Sequence, residues 1–549
     1  MNPQEPGGVL PYLPGVTERD EVMGVPLRAD RAAELVERID AVVAAGDWPS
    51  ALGLLRENLV ALVTDRFSWV RALLAQAPAA ELDPVLRLVQ GFLLGAPADG
   101  APMPTDDDRA AFEAWVTTVF IQVVALRWLG RLDEAEEVAR GAVPALSGVE
   151  LADVTDGLAL TRLHIGILRL LRGDLDAAIE DLRAAHLMAF HARSAFVVRN
   201  CAGDLALAHA LRGELTEAER WLEIFDGTDF DPEGHFERYV RVGALVARAL
   251  VALHRLRPQE AQETLDRLDA SPGEELWVFV AVARALLAHV RGDVVAGLAV
   301  LEQAQVAHRA STAAVGIAPR LLTVVRADLL LAAGQGVRAR AELAELEDAS
   351  DVAELHRSRV ALVTGDPAAA VPVADAVAWG PAASALNRVG ALVVGAVARW
   401  RLAGTAGGDA ADLRAQAHRA LGEAVALAAP TRLLLPFALA QRDELLAIAG
   451  DGPSAAAVRR LLDDPALLAV GPLVPPRVEV VELSERERAV LAELRTTHSV
   501  EVVAKRLFVS TNTVKTQVRN VYRKLGVHSR EQALARAHRE GLLPAPEEG

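Results

Sequence analysis

Arg172-Gly173-Asp174-Leu175-Asp176-Ala177-Ala178 is the stretch on which the fold turns. An apolar helical pattern ends in front of it and another begins behind it. A glycine here can close the first helix in a left-handed conformation, and the aspartate that follows can cap the second. The same punctuation recurs at Ala45-Gly46-Asp47-Trp48, Leu129-Gly130-Arg131-Leu132, Arg212-Gly213-Glu214-Leu215, Arg291-Gly292-Asp293-Val294 and Ala333-Gly334-Gln335-Gly336. Gly130 to Gly173 is 43 residues, Gly173 to Gly213 is 40, Gly292 to Gly334 is 42, and the 79 from Gly213 to Gly292 reads as two steps. Gly46 to Gly130, 84 residues, reads as two more. A period of about 40 belongs to solenoids of paired helices.

Composition agrees with that pattern. Hydrophobic residues make up 52% of the 549 and aromatic residues only 4%, a mixture that favours helix over strand. The chain is too long for one hydrophobic core, so at least two packed parts are expected in an all-α protein. The single cysteine, Cys201, excludes an internal disulfide framework and a zinc site built on several thiolates, and it reads as a small buried hydrophobe. No basic start with an apolar run marks a secretory signal, and the apolar passage Leu276 to Val290 is interrupted by Arg284 and is too short to span a bilayer. A cytoplasmic protein without a membrane partner is the expectation.

Glycines 130, 173 and 213 are each followed by Leu at the second position and Ala at the fifth, as in Leu132-Asp133-Glu134-Ala135, Leu175-Asp176-Ala177-Ala178 and Leu215-Thr216-Glu217-Ala218. In this Gly-x-Leu-x-x-Ala pattern the chain resembles tetratricopeptide-like repeats, with longer helices than that family's usual ~34-residue unit. Units near Gly365-Asp366-Pro367 and from Gly404 to Gly408 read as less regular. Such an array implies a concave surface for a protein, a peptide or a small effector.

Boundaries follow from punctuation. Residues 1–27, with Pro3, Pro6, Gly7, Gly8, Pro11 and Pro14, read as an irregular leader, and 28–468 as the helical-repeat body. Pro472, Pro475 and Pro476 forbid helix continuation, which places a linker at 469–482; a compact module follows at 483–543 and a short tail at 544–549.

Charge divides the chain at the same place. The net charge is −17, yet Leu483 to Pro544 holds twelve Lys and Arg against six Asp and Glu, so the remainder carries −23. A basic module on an acidic body points to a polyanionic partner for the module alone. Lys505, Lys515 and Lys524 are the only lysines in the sequence. Nothing upstream can therefore supply the lysine of a P-loop, of a kinase or of a Schiff base.

Four helices can be written for the module. Ser484 and Glu487 form a capping-box pair ahead of Val490, Leu491 and Leu494. A second helix spans about Ser499 to Leu507, followed by a turn at Phe508-Val509. Ser510 caps a third that runs to about Leu525 and ends at Gly526, and Ser529 with Gln532 opens a fourth that ends near Glu540. In the third, Val514, Val518, Val521 and Leu525 recur at helical spacing and mark the buried face. The other side is cationic and polar, with Lys515, Thr516, Arg519 and Arg523, and with Thr511 and Asn512 at the amide-rich N-terminus. Such a helix suits the major groove, where Arg and Lys donate to guanine O6 and N7.

These blocks, Leu483-Ser484-Glu485-Arg486-Glu487, Ala504 to Ser510, Asn512 to Val518, Tyr522 to Val527 and Arg530, resemble in order the LuxR/GerE-type helix-turn-helix of bacterial transcriptional regulators. The resemblance implies base reading from Lys515, Thr516 and Arg519, with Gln517 setting fine preference where many relatives carry His. It implies backbone contacts from Asn512, Thr513 and Lys524, a partner in double-stranded DNA, and a homodimer through the last helix, formed by Ala533, Ala537 and neighbouring side chains. A glycine usual between the first two helices is replaced by Thr496-Thr497-His498-Ser499. The body followed by this module is similar in layout to large LuxR-type regulators, whose ATPase this sequence is expected to lack.

Other signals resolve blandly. Gly334-Gln335-Gly336 follows a helical pattern and reads as a helix-ending turn, His186 and His191 point apart on a helix, and Asp106-Asp107-Asp108 suits capping and solvation. The sequence holds no Gly-x-Ser-x-Gly and no His-Glu-x-x-His, so no cofactor, no metal and no enzymatic activity are expected. The expectation is a transcription regulator with a sensing body; the alternative is an interaction scaffold whose module has lost specific DNA binding.

Overall fold

The computed structural model describes residues 29–543 except 60–61, 63–65, 83–85, 88, 92–108, 151–153, 230–234, 269–274, 309–315, 348, 382, 406–408, 482 and 541. The leader, Asp106-Asp107-Asp108 and the tail from 544 lie outside these residues. All described secondary structure is helix and turn, with no strand among the described residues.

Gly46, Gly130, Gly173, Gly213, Gly292 and Gly334 all have φ between +70° and +87°, so each ends a helix as its position in the repeat requires. Asp47, Asp174 and Asp293 then accept from the amides of Ser50, Ala177 and Ala296 at 3.2, 3.4 and 3.0 Å. Each cap contributes about 1 kcal/mol. Gly365-Asp366-Pro367 follows the same rule, with φ of +96° and an Ala369 amide 2.9 Å from Asp366, so this unit is as regular as the rest. Glu214 does not cap; its longer side chain turns back to His209 and Arg212.

The double step between Gly213 and Gly292 contains the unmarked turn Arg255-Leu256-Arg257-Pro258. Leu256 takes the glycine's place at φ +56°. That conformation costs a non-glycine residue roughly 1–2 kcal/mol. The side chain is 2% exposed, and full burial of a leucine contributes about 1.5–3 kcal/mol, enough to offset the strain.

Eight long helices form the inner layer of the described residues: α1 (Arg109–Trp128), α2 (Asp156–Arg172), α3 (Ala195–Arg212), α4 (His235–His254), α5 (Trp277–Val290), α6 (Ile317–Ala332), α7 (Asp351–Val363) and α8 (Ala385–Ala403). Each packs on the next, while the intervening helices, such as Leu175–Ala192 and Pro367–Ala378, form the outer layer. Inner helices are apolar nearly all round: in α3 every residue from Asn200 to Ala210 is buried. The layer also curls onto itself, so that α2 touches α6 and α3 touches α8. At Gly213 an added Cβ would lie 2.8 Å from Leu386, so glycine is demanded both by φ and by this contact. The concave surface expected from the repeat is thus filled between these helices, and one core runs from Ala159 to Leu473.

The proline-rich stretch behind helix Pro465–Val470 is an extended strap seated on the body. Leu473 N–H donates to the Ala438 carbonyl at 2.7 Å, Val478 N–H to the Val363 carbonyl at 2.9 Å, and Gln441 Nε2 to the Val474 carbonyl at 2.7 Å. His289, 2% exposed, holds the Leu473 carbonyl at 3.2 Å through Nε2. Val474 and Val478 pack with Leu330, Leu331, Val360 and Val363. A few residues later Val481 and Leu483 already belong to the core of the terminal module.

Cys201 is fully buried; burial, with Asp204 nearby, pushes its thiol well above the ordinary value. The His186 ring packs edge-on against Trp221, whereas His191 meets Phe190. Among the described residues no cluster of three or more His, Cys, Asp or Glu is arranged for a metal, and no helix is long and apolar enough to cross a membrane.

Candidate nucleic-acid interface

The module consists of α9 (Glu485–Thr496), α10 (Val500–Arg506), α11 (Thr511–Lys524) and α12 (Arg530–Arg539). The capping box that opens α9 is complete: Glu487 N–H donates to Ser484 Oγ at 3.3 Å, and Ser484 N–H donates to Glu487 Oε2 at 2.8 Å. The expected glycine before α10 is not needed. Thr497 caps α9 in extended backbone, at φ −148°, and its Oγ1 accepts from Ser499 N–H at 3.1 Å. Arg506 crosses the loop to Glu493 and Thr496, both at 2.8 Å.

Between α10 and α11 the chain turns at Phe508, φ +54°, with Val509 N–H returning to the Ala504 carbonyl at 3.0 Å. The Phe508 ring is 94% exposed, a feature that the sequence reading, which treated it only as a turn residue, did not single out. Ser510 Oγ accepts from Thr513 N–H at 3.1 Å and sets the start of α11, while the amides of Thr511 and Asn512 have no carbonyl to meet within the helix.

Val514, Val521 and Leu525 are fully buried and Val518 half-buried, which fixes the rotation of α11. At 100° per residue, Asn512, Thr516, Arg519 and Arg523 then fall in one outward line, with Lys515 beside it. All five are exposed, as are Thr511 and Thr513, whereas Gln517 is half-buried. The Thr516 hydroxyl donates to the Asn512 carbonyl at 3.0 Å, and Arg523 reaches Asn520 at 3.3 Å. Among the described residues no helix of the body makes an extended contact with α11.

Lys524 sits on a different stripe. Its Nζ donates to Glu487 Oε2 at 2.7 Å, fastening the end of α11 to the start of α9. Burial disfavours the Glu487 carboxylate, but the Lys524 ammonium and the Ser484 donors outweigh it and hold the group below the ordinary range. The ion pair escaped the sequence reading because its partners stand 37 residues apart.

α12 is anchored by Arg530, whose guanidinium donates to the carbonyls of Leu494 at 2.6 Å and Arg495 at 3.3 Å. Ser529 caps it through Gln532 N–H at 3.1 Å, but Gln532 Oε1 takes the amide of His528 at 3.0 Å instead of closing a reciprocal box. Ala533 and Ala537 are 0% exposed and pack with Leu491, Val521 and Leu525. These two residues of the implied dimer face are therefore spent inside the module: small residues at this spacing let α12 approach its own core. The outward side of α12 carries Glu531, Gln532 and Ala535.

Residues 481–537 match the family model "Bacterial regulatory proteins, luxR family". The module is 46% identical over 61 residues to the "Probable transcriptional regulatory protein NarL" of Mycobacterium tuberculosis, covering 11% of this chain and 28% of that protein. It is 38% identical over 68 residues to the "HTH-type transcriptional regulator MalT" of Yersinia pestis, covering 12% of this chain and 8% of that protein. The chain therefore aligns with less than a third of either relative. Four helices with these caps, this exposed cationic line and this match make the C-terminal module a luxR-family helix-turn-helix domain, carried behind an all-helical body.

Proposed function

We propose that this protein is a cytoplasmic transcriptional regulator that binds double-stranded DNA through α11. The observation that carries the reading is the outward line Asn512, Thr516, Arg519 and Arg523 with Lys515 at its side, exposed on a luxR-type domain. In this reading Lys515, Thr516 and Arg519 meet base edges in the major groove, with Gln517 at the margin. Thr511, Asn512 and Thr513, at the amide-rich start of the helix, meet the sugar-phosphate backbone, and Arg523 reaches a phosphate further along. The body receives a signal or a partner, and the strap transmits its state to the domain. A homodimer on DNA uses the outward side of α12, which would set half-sites about one helical turn apart.

The test is DNA binding by the full chain as a function of salt, together with selection from a random duplex library. Affinity should fall by about 0.9 log unit per decade of salt for every phosphate neutralised, and selection should return one motif. An interaction scaffold would give neither the slope nor a motif.

A further inference from the structure

The strap is one wall of a groove of about 860 Å³. Pro472 and Leu473 are the strap's contribution, and the rest of the lining comes from helix Pro465–Val470 and from two successive repeat turns, the one through Leu256 and Arg257 and the one through Arg291 and Gly292. That volume lies in the range of small-molecule sites.

Its lining has two characters. Val290, Val294, Val470 and Leu473 give it an apolar body, and Arg257 and Arg291 give it cationic groups against a single carboxylate, Glu260. Glu260 meets Arg257 at 3.3 Å in an exposed pair. Among the described residues Arg291 is held by neutral acceptors only, the Gln262 amide oxygen at 2.6 Å and the Pro258 carbonyl at 3.5 Å. A guanidinium positioned by neutral groups keeps its charge available, and a carboxylate or phosphate answers its fork geometry. A neutral or cationic ligand would leave that charge unanswered.

We infer that this groove binds a small amphipathic anion, its acidic head at Arg257 and Arg291 and its apolar body along Val290, Val470 and Leu473. The bound anion bears on the segment that leads to the DNA-binding domain. His289 also lines the groove and holds the Leu473 carbonyl at 3.2 Å, while the Leu473 amide is tied to Ala438 at 2.7 Å. An occupant packed against Leu473 adds contacts present only while the strap is seated, and so favours the seated state. This rests on the reading of the body as the receiving part of a regulator.

The experiment is hydrogen exchange of the full chain with octanoate, with acetate at equal ionic strength as the head-group-only control. Octanoate should slow exchange of the Leu473 and Val478 amides by about threefold or more at saturation, with acetate inert. In Arg257→Gln/Arg291→Gln the octanoate response should require at least about tenfold more ligand, the equivalent of a lost charge-assisted contact. Arg291 is exposed and Arg257 half-exposed; Arg291→Gln alone serves as the second variant if the double variant is poorly folded. Equal responses to octanoate and acetate, or an undiminished response in the variants, would overturn the proposal. The readout is independent of DNA, so a failure of DNA binding would leave the site standing, and failure of the site would leave DNA binding intact.

Discussion

Lys524 and Glu487 stand 37 residues apart and meet at 2.7 Å, joining the last turn of α11 to the first turn of α9. Glu487 is 4% exposed and also takes the Ser484 amide, so one carboxylate caps α9 and anchors α11. The resemblance to the LuxR family gave Lys524 to the DNA backbone; the ion pair gives it a positioning role within the module.

Replacing Lys524 with Gln should therefore destabilise the module by about 1–2 kcal/mol, since a buried carboxylate loses its charged partner at a half-open site. Thermal unfolding reads this directly, and Glu487→Gln in the same chain should recover part of the loss. The salt slope of DNA binding should be unchanged. A slope lowered by about 0.9 would mean that Lys524 neutralises a phosphate after all.

Arg519 lies at the middle of the outward line of α11. Arg519→Ala should cost about 1–3 kcal/mol on the preferred site and relax preference at one or two base pairs. Selection from a random library, run in parallel with the wild type, decides this: an identical motif would remove Arg519 from the reading face.

Asp204 titrates in the body's interior. It is 3% exposed on α3, and burial raises its carboxyl to about 7 against the pull of Arg127, with the Glu275 charge raising it further. Tyr239 and Cys201 share this neighbourhood: burial first, and then nearby charge that includes Asp204, raises both groups above their ordinary values. A carboxyl whose folded value is raised favours folding fully below its unfolded value near 3.9. That contribution is lost as pH rises toward about 7, at about 1.4 kcal/mol per unit at most. Asp204→Asn should accordingly gain stability over the wild type with rising pH between 4 and 7 and keep the gain at pH 8. Denaturant midpoints at pH 5 and pH 8 test it; a difference independent of pH would show that Asp204 is charged throughout.

The strap gives a fourth test. His289→Ala removes the donor to the Leu473 carbonyl and leaves a buried acceptor unsatisfied, a cost of about 1–3 kcal/mol concentrated at the strap. Trypsin should then cut after Arg477 several-fold faster than in the wild type, with cleavage inside α3 unaffected. Equal rates would mean that the prolines and the Val474 and Val478 packing hold the strap without the histidine.

Local rules carried a long way here. Glycine and aspartate at repeat turns have a conformational meaning that depends only on neighbours in the chain, so the helical hairpins, their period and the caps at Ser484, Ser510 and Ser529 were legible without a structure. The four-residue spacing of Val514 and Val518 likewise told which side of α11 is buried, and hence that Thr516, Arg519 and Arg523 face outward. Where a local rule was met by an unexpected residue, as at Leu256 in the glycine's place, the turn was missed because tertiary burial offset the local strain.

What the chain order could not supply were pairings across distance. The contact of Gly213 with Leu386 fills the concave side, Ala533 and Ala537 turn inward on Leu491, and Lys524 finds Glu487. Each depends on how two remote helices come together. Sequence by itself determined the helices, their repeat and the cationic stripe of the terminal module, because period and capping act over three or four residues. Only the tertiary structure decided which charges remain free, which face of the last helix is open and where the strap lies, because those depend on close packing between segments tens to hundreds of residues apart.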